Sequence, residues 1–243
     1  MIPTPNHLRR ALRDPDLTDQ LVWIVSLAGA LSYLLLPLVP SAPYPVRAGI
    51  KALGVGMLAL LALRQAGRPG RSRDTLGLAL ALALSCLGDI FLALPLRNGF
   101  ILGLGSFLLA HLTYAGIFAR RWQRPLRPPL IRLAGAAALL TFSLFFSQWL
   151  SPMLGDLALP VMVYICAITL MVVASLWAGF STRLVVIGAI LFMVSDSILA
   201  VERFHGPRFP GSLLIWTTYY LGQYGITMGF LTDCHRGRAA NEG

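Results

Sequence analysis

Charge is what this sequence has least of. Only 12% of its 243 residues are Asp, Glu, Lys or Arg, and Lys51 is the single lysine. That excludes an ordinary soluble domain, whose surface needs far more charge. The three cysteines, Cys86, Cys166 and Cys234, have no CxxC spacing, which argues against a disulfide framework or a thiolate metal cluster. Cys86 and Cys166 fall in apolar stretches and are most simply small packing residues. No GxSxG nucleophile elbow occurs, and nothing selects a serine triad from Ser85, Ser106, Ser195 or Ser197. The first twenty residues lack an apolar core and a small-residue cleavage site, so the sequence does not predict a cleaved leader.

What is there is apolar. The chain is 56% hydrophobic with a mean hydropathy of +0.71. A spanning helix needs roughly 20 apolar residues. Nearly the whole chain divides into such pieces, at about 20–39, 46–63, 75–95, 99–119, 130–150, 157–178, 182–201 and 211–231. Backbone polar groups in lipid must pair internally, and runs of this length favour helices over barrel strands. The expected fold is all-α: a polytopic membrane bundle of about eight transmembrane helices over 20–231, with tails at 1–19 and 232–243.

The net charge of +10 is explained by its distribution. Arg9, Arg10 and Arg13 lie in the first tail, and Arg236 and Arg238 in the last. Arg64, Arg68, Arg71 and Arg73 follow the second segment, and Arg120, Arg121, Arg124, Arg127 and Arg132 follow the fourth, with Arg183 after the sixth. The opposite side has only Arg47, Lys51, Arg97, Arg203 and Arg208. This positive-inside bias places both termini in the cytoplasm of a plasma membrane, the inner membrane in a bacterium. The basic charge is topological, with anionic lipid heads as a second partner, and nucleic acid is not expected to bind.

Against this background two acids stand out. Asp89 lies in LSCLGDIFLAL and Asp196 in AILFMVSDSILAV. A charged side chain at bilayer depth costs about 2.5–3.5 kcal/mol on insertion scales. The two stand 107 positions apart, and each is followed on the next segment by a polar cluster. After Asp89 come His111 and Tyr114; after Asp196 come Tyr219, Tyr220 and Gln223. The spacing is that of two parallel four-helix repeats, which would bring both acids to similar depth in the outer half of the bilayer. Lys51, near the outer end of the second segment, is the natural cation for one of them. A buried Asp–Lys or Asp–Tyr pair that only locks helices together would account for one such acid. Two acids beside His, Tyr, Lys and Gln read better as a site. His111 is the one histidine inside a segment, and one histidine with two acids falls short of the three protein ligands usual for zinc. Neither a metal nor another cofactor is expected.

At these residues the chain resembles the YhhN family of lysoplasmalogenases. The pieces that carry the resemblance are Lys51, LGDIFLALP at Leu87–Pro95, FILGLGSFLLAHLTY at Phe100–Tyr114, LPVMVYICAITLM at Leu159–Met171, SDSILAVERF at Ser195–Phe204 and TYYLGQYGI at Thr218–Ile226. The resemblance implies hydrolysis of the vinyl ether bond of a lysoplasmalogen, a lysophospholipid drawn from the bilayer, to a fatty aldehyde and a glycerophospho-base. It assigns Asp89 and Asp196 to the two acidic motif positions and His111, Tyr114, Tyr220 and Gln223 to polar motif positions. Vinyl ether cleavage needs a proton donor and a stabiliser for an oxocarbenium ion, tasks that two carboxyls can divide. The residues alone leave three classes open: such a hydrolase, a proton-coupled transporter or flippase built on the same acids, and a non-catalytic lipid-binding scaffold.

Overall fold

The structure is a computed structural model that describes residues 16–39, 41–68, 73–123, 125, 129–206 and 211–241. The tail charges Arg9, Arg10, Arg13 and Asp14, the loop residues Arg71, Arg124, Arg127 and Arg208, and His7 lie outside them. All eight apolar segments are helical: α1 Leu17–Leu35, α2 Tyr44–Ala66, α3 Arg73–Ala93, α4 Gly99–Ala119, α5 Leu130–Leu150, α6 Ala158–Trp177, α7 Leu184–His205 and α8 Gly211–Asn241. Among the described residues there is no strand, only an isolated bridge between Trp122 and Ala178.

Helices α1 to α7 are each long and apolar enough to cross a membrane. Helix α8 has 31 residues, about 46 Å of helix at roughly 1.5 Å per residue, ample for the bilayer. It is less apolar because Thr217, Thr218, Tyr219, Tyr220, Gln223 and Thr227 interrupt it. Packing lifts the demand for apolarity: Trp216, Tyr219, Tyr220, Gln223, Ile226, Thr227 and Phe230 are all buried by protein. The helix also runs ten residues past the apolar segment read from the sequence, because backbone hydrogen bonding does not need lipid.

Glycine lets the backbones of α7 and α8 come into contact. A Cβ on Gly188 would stand 2.6 Å from the Gly222 carbonyl oxygen and 2.7 Å from the Ile226 nitrogen. A Cβ on Gly222 would stand 2.8 Å from the Gly188 carbonyl oxygen. Small residues at a membrane helix crossing let the backbones meet, so dispersion does what the hydrophobic effect cannot do in lipid. Helices α1 to α4 pack in chain order, α4 meets α6, and α8 reaches back to α1, α2 and α3. Helix α5 is peripheral and buries only Ala136, Ser143 and Leu150.

Ion pairs gather at the end of the bundle rich in arginine. Asp19, buried on α1, accepts from Arg64 at 2.8 Å and Gln65 at 2.7 Å, and also meets Arg68. Arg121 bridges Asp233 on α8 at 2.6 Å and lies 3.6 Å from Asp74. Asp16 caps α1 by accepting the Thr18 backbone N–H at 3.1 Å. That bond, with Arg64 and Arg68 adding to it, holds the Asp16 carboxyl below its usual range. The cap is complete at neutral pH and is lost only as the pH falls through that lowered value.

Gly188→Ala should lower the melting midpoint of the detergent-solubilised protein, because the two atoms nearest the added methyl are backbone and cannot turn aside. Overpacking of this kind costs about 1–3 kcal/mol. A midpoint equal to wild type would show that the two helices part without penalty.

Candidate active site

Asp89 is 1% exposed, four residues before the end of α3. Its Oδ1 lies 2.9 Å from the Lys51 ammonium of α2, and its Oδ2 accepts the Tyr219 hydroxyl of α8 at 2.6 Å. The lysine is fixed on its other sides by aromatic faces, 5.9 Å from the ring centres of Tyr33 and of Trp216. Trp216 is itself anchored by its indole N–H, which donates to the Ala30 carbonyl at 2.9 Å. Gly88 makes room for this arrangement. A Cβ there would come within 2.7 Å of the Phe107 ring, so the missing side chain lets α4 lay that ring beside Asp89.

Asp196 on α7 has different partners. Its Oδ2 accepts the Tyr164 hydroxyl of α6 at 2.5 Å and lies 3.2 Å from Nε2 of His111 on α4. Nε2 is also 2.9 Å from the Tyr164 oxygen. Since Tyr164 donates to the carboxyl, the ring donates through its Nε2–H toward both oxygens. Nδ1 of His111 is buried without a partner among the described residues. A lone pair there is tolerable, whereas a second N–H would be an orphan donor. The neutral ε tautomer meets this geometry. Oδ1 of Asp196 has no hydrogen bond among the described residues.

The pairing is crossed. Each acid binds the second helix of its own four (Lys51 on α2, Tyr164 on α6) and the fourth helix of the other four (Tyr219 on α8, His111 on α4). The residue before each acid instead meets the fourth helix of its own four: Gly88 takes Phe107 of α4, and the Ser195 hydroxyl donates to the Ile215 carbonyl of α8 at 3.0 Å.

Two cavities meet at Asp196. One, of about 410 Å³, is lined by Lys51, Asp89, Asp196, Tyr219 and Trp216 and ends at the exposed residues Arg97 and Arg203. The other is narrow and apolar, about 60 Å³, and runs between α4, α5, α6 and α7 past Phe142, Phe146, Ile165 and Met193. Leu92, Phe100, Phe107 and Leu199 line both.

Of the residues singled out in the sequence, Asp89, Asp196, Lys51 and Tyr219 line the larger cavity. His111 stands behind Asp196 as its donor. Tyr114 and Gln223 are a fully buried pair, the hydroxyl donating to Oε1 at 2.6 Å, with Gln223 Nε2 unpartnered among the described residues. They line neither cavity. Tyr220 points the other way, to Ser26 of α1 at 2.9 Å, and joins α8 to α1. Sequence reasoning did not single out Tyr164. Its signal was its segment: Tyr164 lies on the helix before that of Asp196, as Lys51 lies on the helix before that of Asp89.

A sequence model of the YhhN family matches residues 46–230, from α2 through most of α8. The chain belongs to the YhhN family. The matched region holds both acids and all four of their partners. Similar proteins include a lysoplasmalogenase of Mycobacterium tuberculosis, 37% identical over 183 residues, covering 74% of this chain and 69% of the relative. Lysoplasmalogenase TMEM86B of Homo sapiens is 37% identical over 152 residues, covering 62% of each. Its counterpart in Mus musculus is 33% identical over 213 residues, covering 87% of each. No solved structure matches. Seven apolar spans and this kinship make the YhhN chain an integral membrane protein.

Lys51→Met should destabilise the fold, since it strands a buried carboxylate; removing one partner of a buried pair costs about 3–5 kcal/mol. The double variant Lys51→Met/Asp89→Asn should recover most of that loss, read as melting midpoints in detergent. Equal midpoints for the single and double variants would mean that the pair carries no such coupling.

Proposed function

We propose that the chain is a membrane hydrolase that cleaves the vinyl ether bond of a lysoplasmalogen, releasing a fatty aldehyde and a glycerophospho-base. The carrying observation is a pair of intramembrane aspartates that open on one cavity but are held by unlike partners. The relatives' names support the same reaction.

The unlike partners divide the work. Lys51 balances the charge of Asp89, and both groups on that carboxylate are donors, so Asp89 is the ionised acid. A second uncompensated carboxylate in the same low-dielectric space would be costly. Asp196 therefore holds a proton on the unbonded Oδ1, facing the cavity, while Tyr164 and His111 donate to Oδ2. Those two bonds strengthen as the proton leaves, which favours transfer.

The chemistry then balances. Asp196 protonates the β-carbon of the vinyl ether, and the double-bond electrons form that C–H bond. The oxocarbenium ion left at the α-carbon lies beside the Asp89 carboxylate, as in glycoside cleavage. Water adds to the α-carbon and gives its proton to Asp89. The hemiacetal breaks its bond to the glycerol oxygen, which takes that proton, and the hemiacetal hydroxyl returns one to Asp196. Both acids end as they began. The apolar cavity takes the alkenyl chain, and its wall on one side is peripheral α5.

The crossed pairing supports two parallel four-helix repeats. The arginine bias supports cytoplasmic termini in a plasma membrane, with the larger cavity at the opposite end.

Asp196→Asn and Asp89→Asn proteins that keep the wild-type melting profile should release no measurable aldehyde from lysoplasmalogen. Wild-type rates from either would remove that residue from the mechanism. In D2O the wild-type product should carry one deuterium on the carbon next to the aldehyde. An unlabelled aldehyde would rule out protonation at the β-carbon. Lysolipids with acyl or saturated alkyl ether chains should remain intact.

A further inference from the structure

The mouth of the larger cavity holds three charged side chains that the reaction does not use. Arg97 lies on the short connection between α3 and α4, and Glu202 and Arg203 lie in the last turn of α7. No ion pair among the described residues holds any of them, in contrast to Lys51, Asp89 and Asp196 deeper in the same cavity. Arg203 is instead steadied over the Phe100 ring, 4.8 Å from its centre, and Phe100 belongs to both cavities. The Glu202 carboxylate lies over Gly211 at the start of α8, in the space that a Cβ would fill. The glycine admits this carboxylate and holds it at the rim.

From this arrangement we infer that the rim is a clamp for a zwitterionic head group, with Arg97 and Arg203 on the phosphate and Glu202 on the ammonium. The inference rests on the reading of the deeper cavity as a lysophospholipid site and assigns its selectivity. Two guanidinium groups match a phosphate through paired charge-assisted bonds. Left alone they would favour the most anionic head. Glu202 changes the preference: it attracts the amine of an ethanolamine or choline head and repels a second negative group. With a zwitterion in place each charge meets its opposite. The chain axis is consistent too, because Arg97, Glu202 and Arg203 line the larger cavity and none of them lines the apolar one. Glu202 therefore selects ammonium heads over glycerol or bare phosphate heads.

The test uses the purified full-length protein and two sets of lipids. The first set is vinyl ether lysolipids with ethanolamine, glycerol or bare phosphate heads, assayed for aldehyde. The second is their saturated alkyl ether analogues, assayed for binding. Glu202→Gln should shrink the ethanolamine-over-glycerol preference in kcat/KM by roughly tenfold, the size of one lost charge-assisted bond. It should also improve the KM of the bare phosphate lipid. Arg203→Gln and Arg97→Gln should raise KM for every phosphate-bearing head alike. The same shift in head preference should appear in the Kd values of the uncleavable lipids. If wild type binds with this preference, and Glu202→Gln abolishes it, while no aldehyde forms, the clamp stands and the hydrolase reading falls. If Glu202→Gln changes all heads equally, or none, the clamp is wrong. Should that variant lose its fold, Arg97→Gln on the separate loop decides: no effect on phosphate-bearing lipids overturns the proposal.

Discussion

A carboxylate inside a membrane bundle must be met by donors, and the Asp89–Lys51 pair is how this fold meets that demand. Its solution ties together three helices: α3 carries the acid, α2 the ammonium and α8 the Tyr219 hydroxyl. The ammonium is then pressed between Asp89 and the rings of Tyr33 and Trp216, which draws in α1 as well. A buried ion pair is weak evidence for stability, since desolvation offsets much of its attraction. Its effect is specificity of arrangement. A rotation of α8 that withdrew Tyr219 would leave a carboxylate oxygen without its donor, and one of α2 that withdrew Lys51 would leave the charge of Asp89 unpaired inside the bundle.

That constraint leaves Asp196 free to differ. Its partners are a hydroxyl and an imidazole, both on one oxygen, with no lysine or arginine beside it among the described residues. The two acids occupy corresponding places in the two sets of four helices, yet one has a cation and the other does not. In the proposed mechanism this difference of partner, lysine against tyrosine, is what makes an acid and a base of the same residue type. The crossed bonds also make each half dependent on the other, since His111 serves Asp196 and Tyr219 serves Asp89.

The cavities follow from the same packing. Gly88 brings Phe107 against α3, and Phe107 with Phe100, Leu92 and Leu199 forms the partition where a polar space meets an apolar one. An amphipathic molecule fits such a junction in one direction only. Peripheral α5 closes the apolar side with few buried contacts, whereas the polar side is walled by the tightly crossed α7 and α8.

The sequence by itself determined the eight helices, because apolar runs of spanning length have no other fold in lipid. It also singled out Asp89 and Asp196 as the costly residues at that depth and Lys51 as a cation for one of them, and the structure pairs Lys51 with Asp89. Helix ends were less legible: α8 continues to Asn241 because hydrogen bonding outlasts hydropathy. Only the tertiary structure decided which polar residues share a space. Tyr114, Gln223 and Tyr220 have the same composition signal as Tyr219, but helix rotation sends the first two to each other and Tyr220 to Ser26. Tyr164 looked like one aromatic among many until α6 brought it to Asp196. Hydropathy fixes that a segment crosses the membrane; its rotation and its neighbours are set by close packing, through contacts such as Gly188 on Gly222 that no single segment contains.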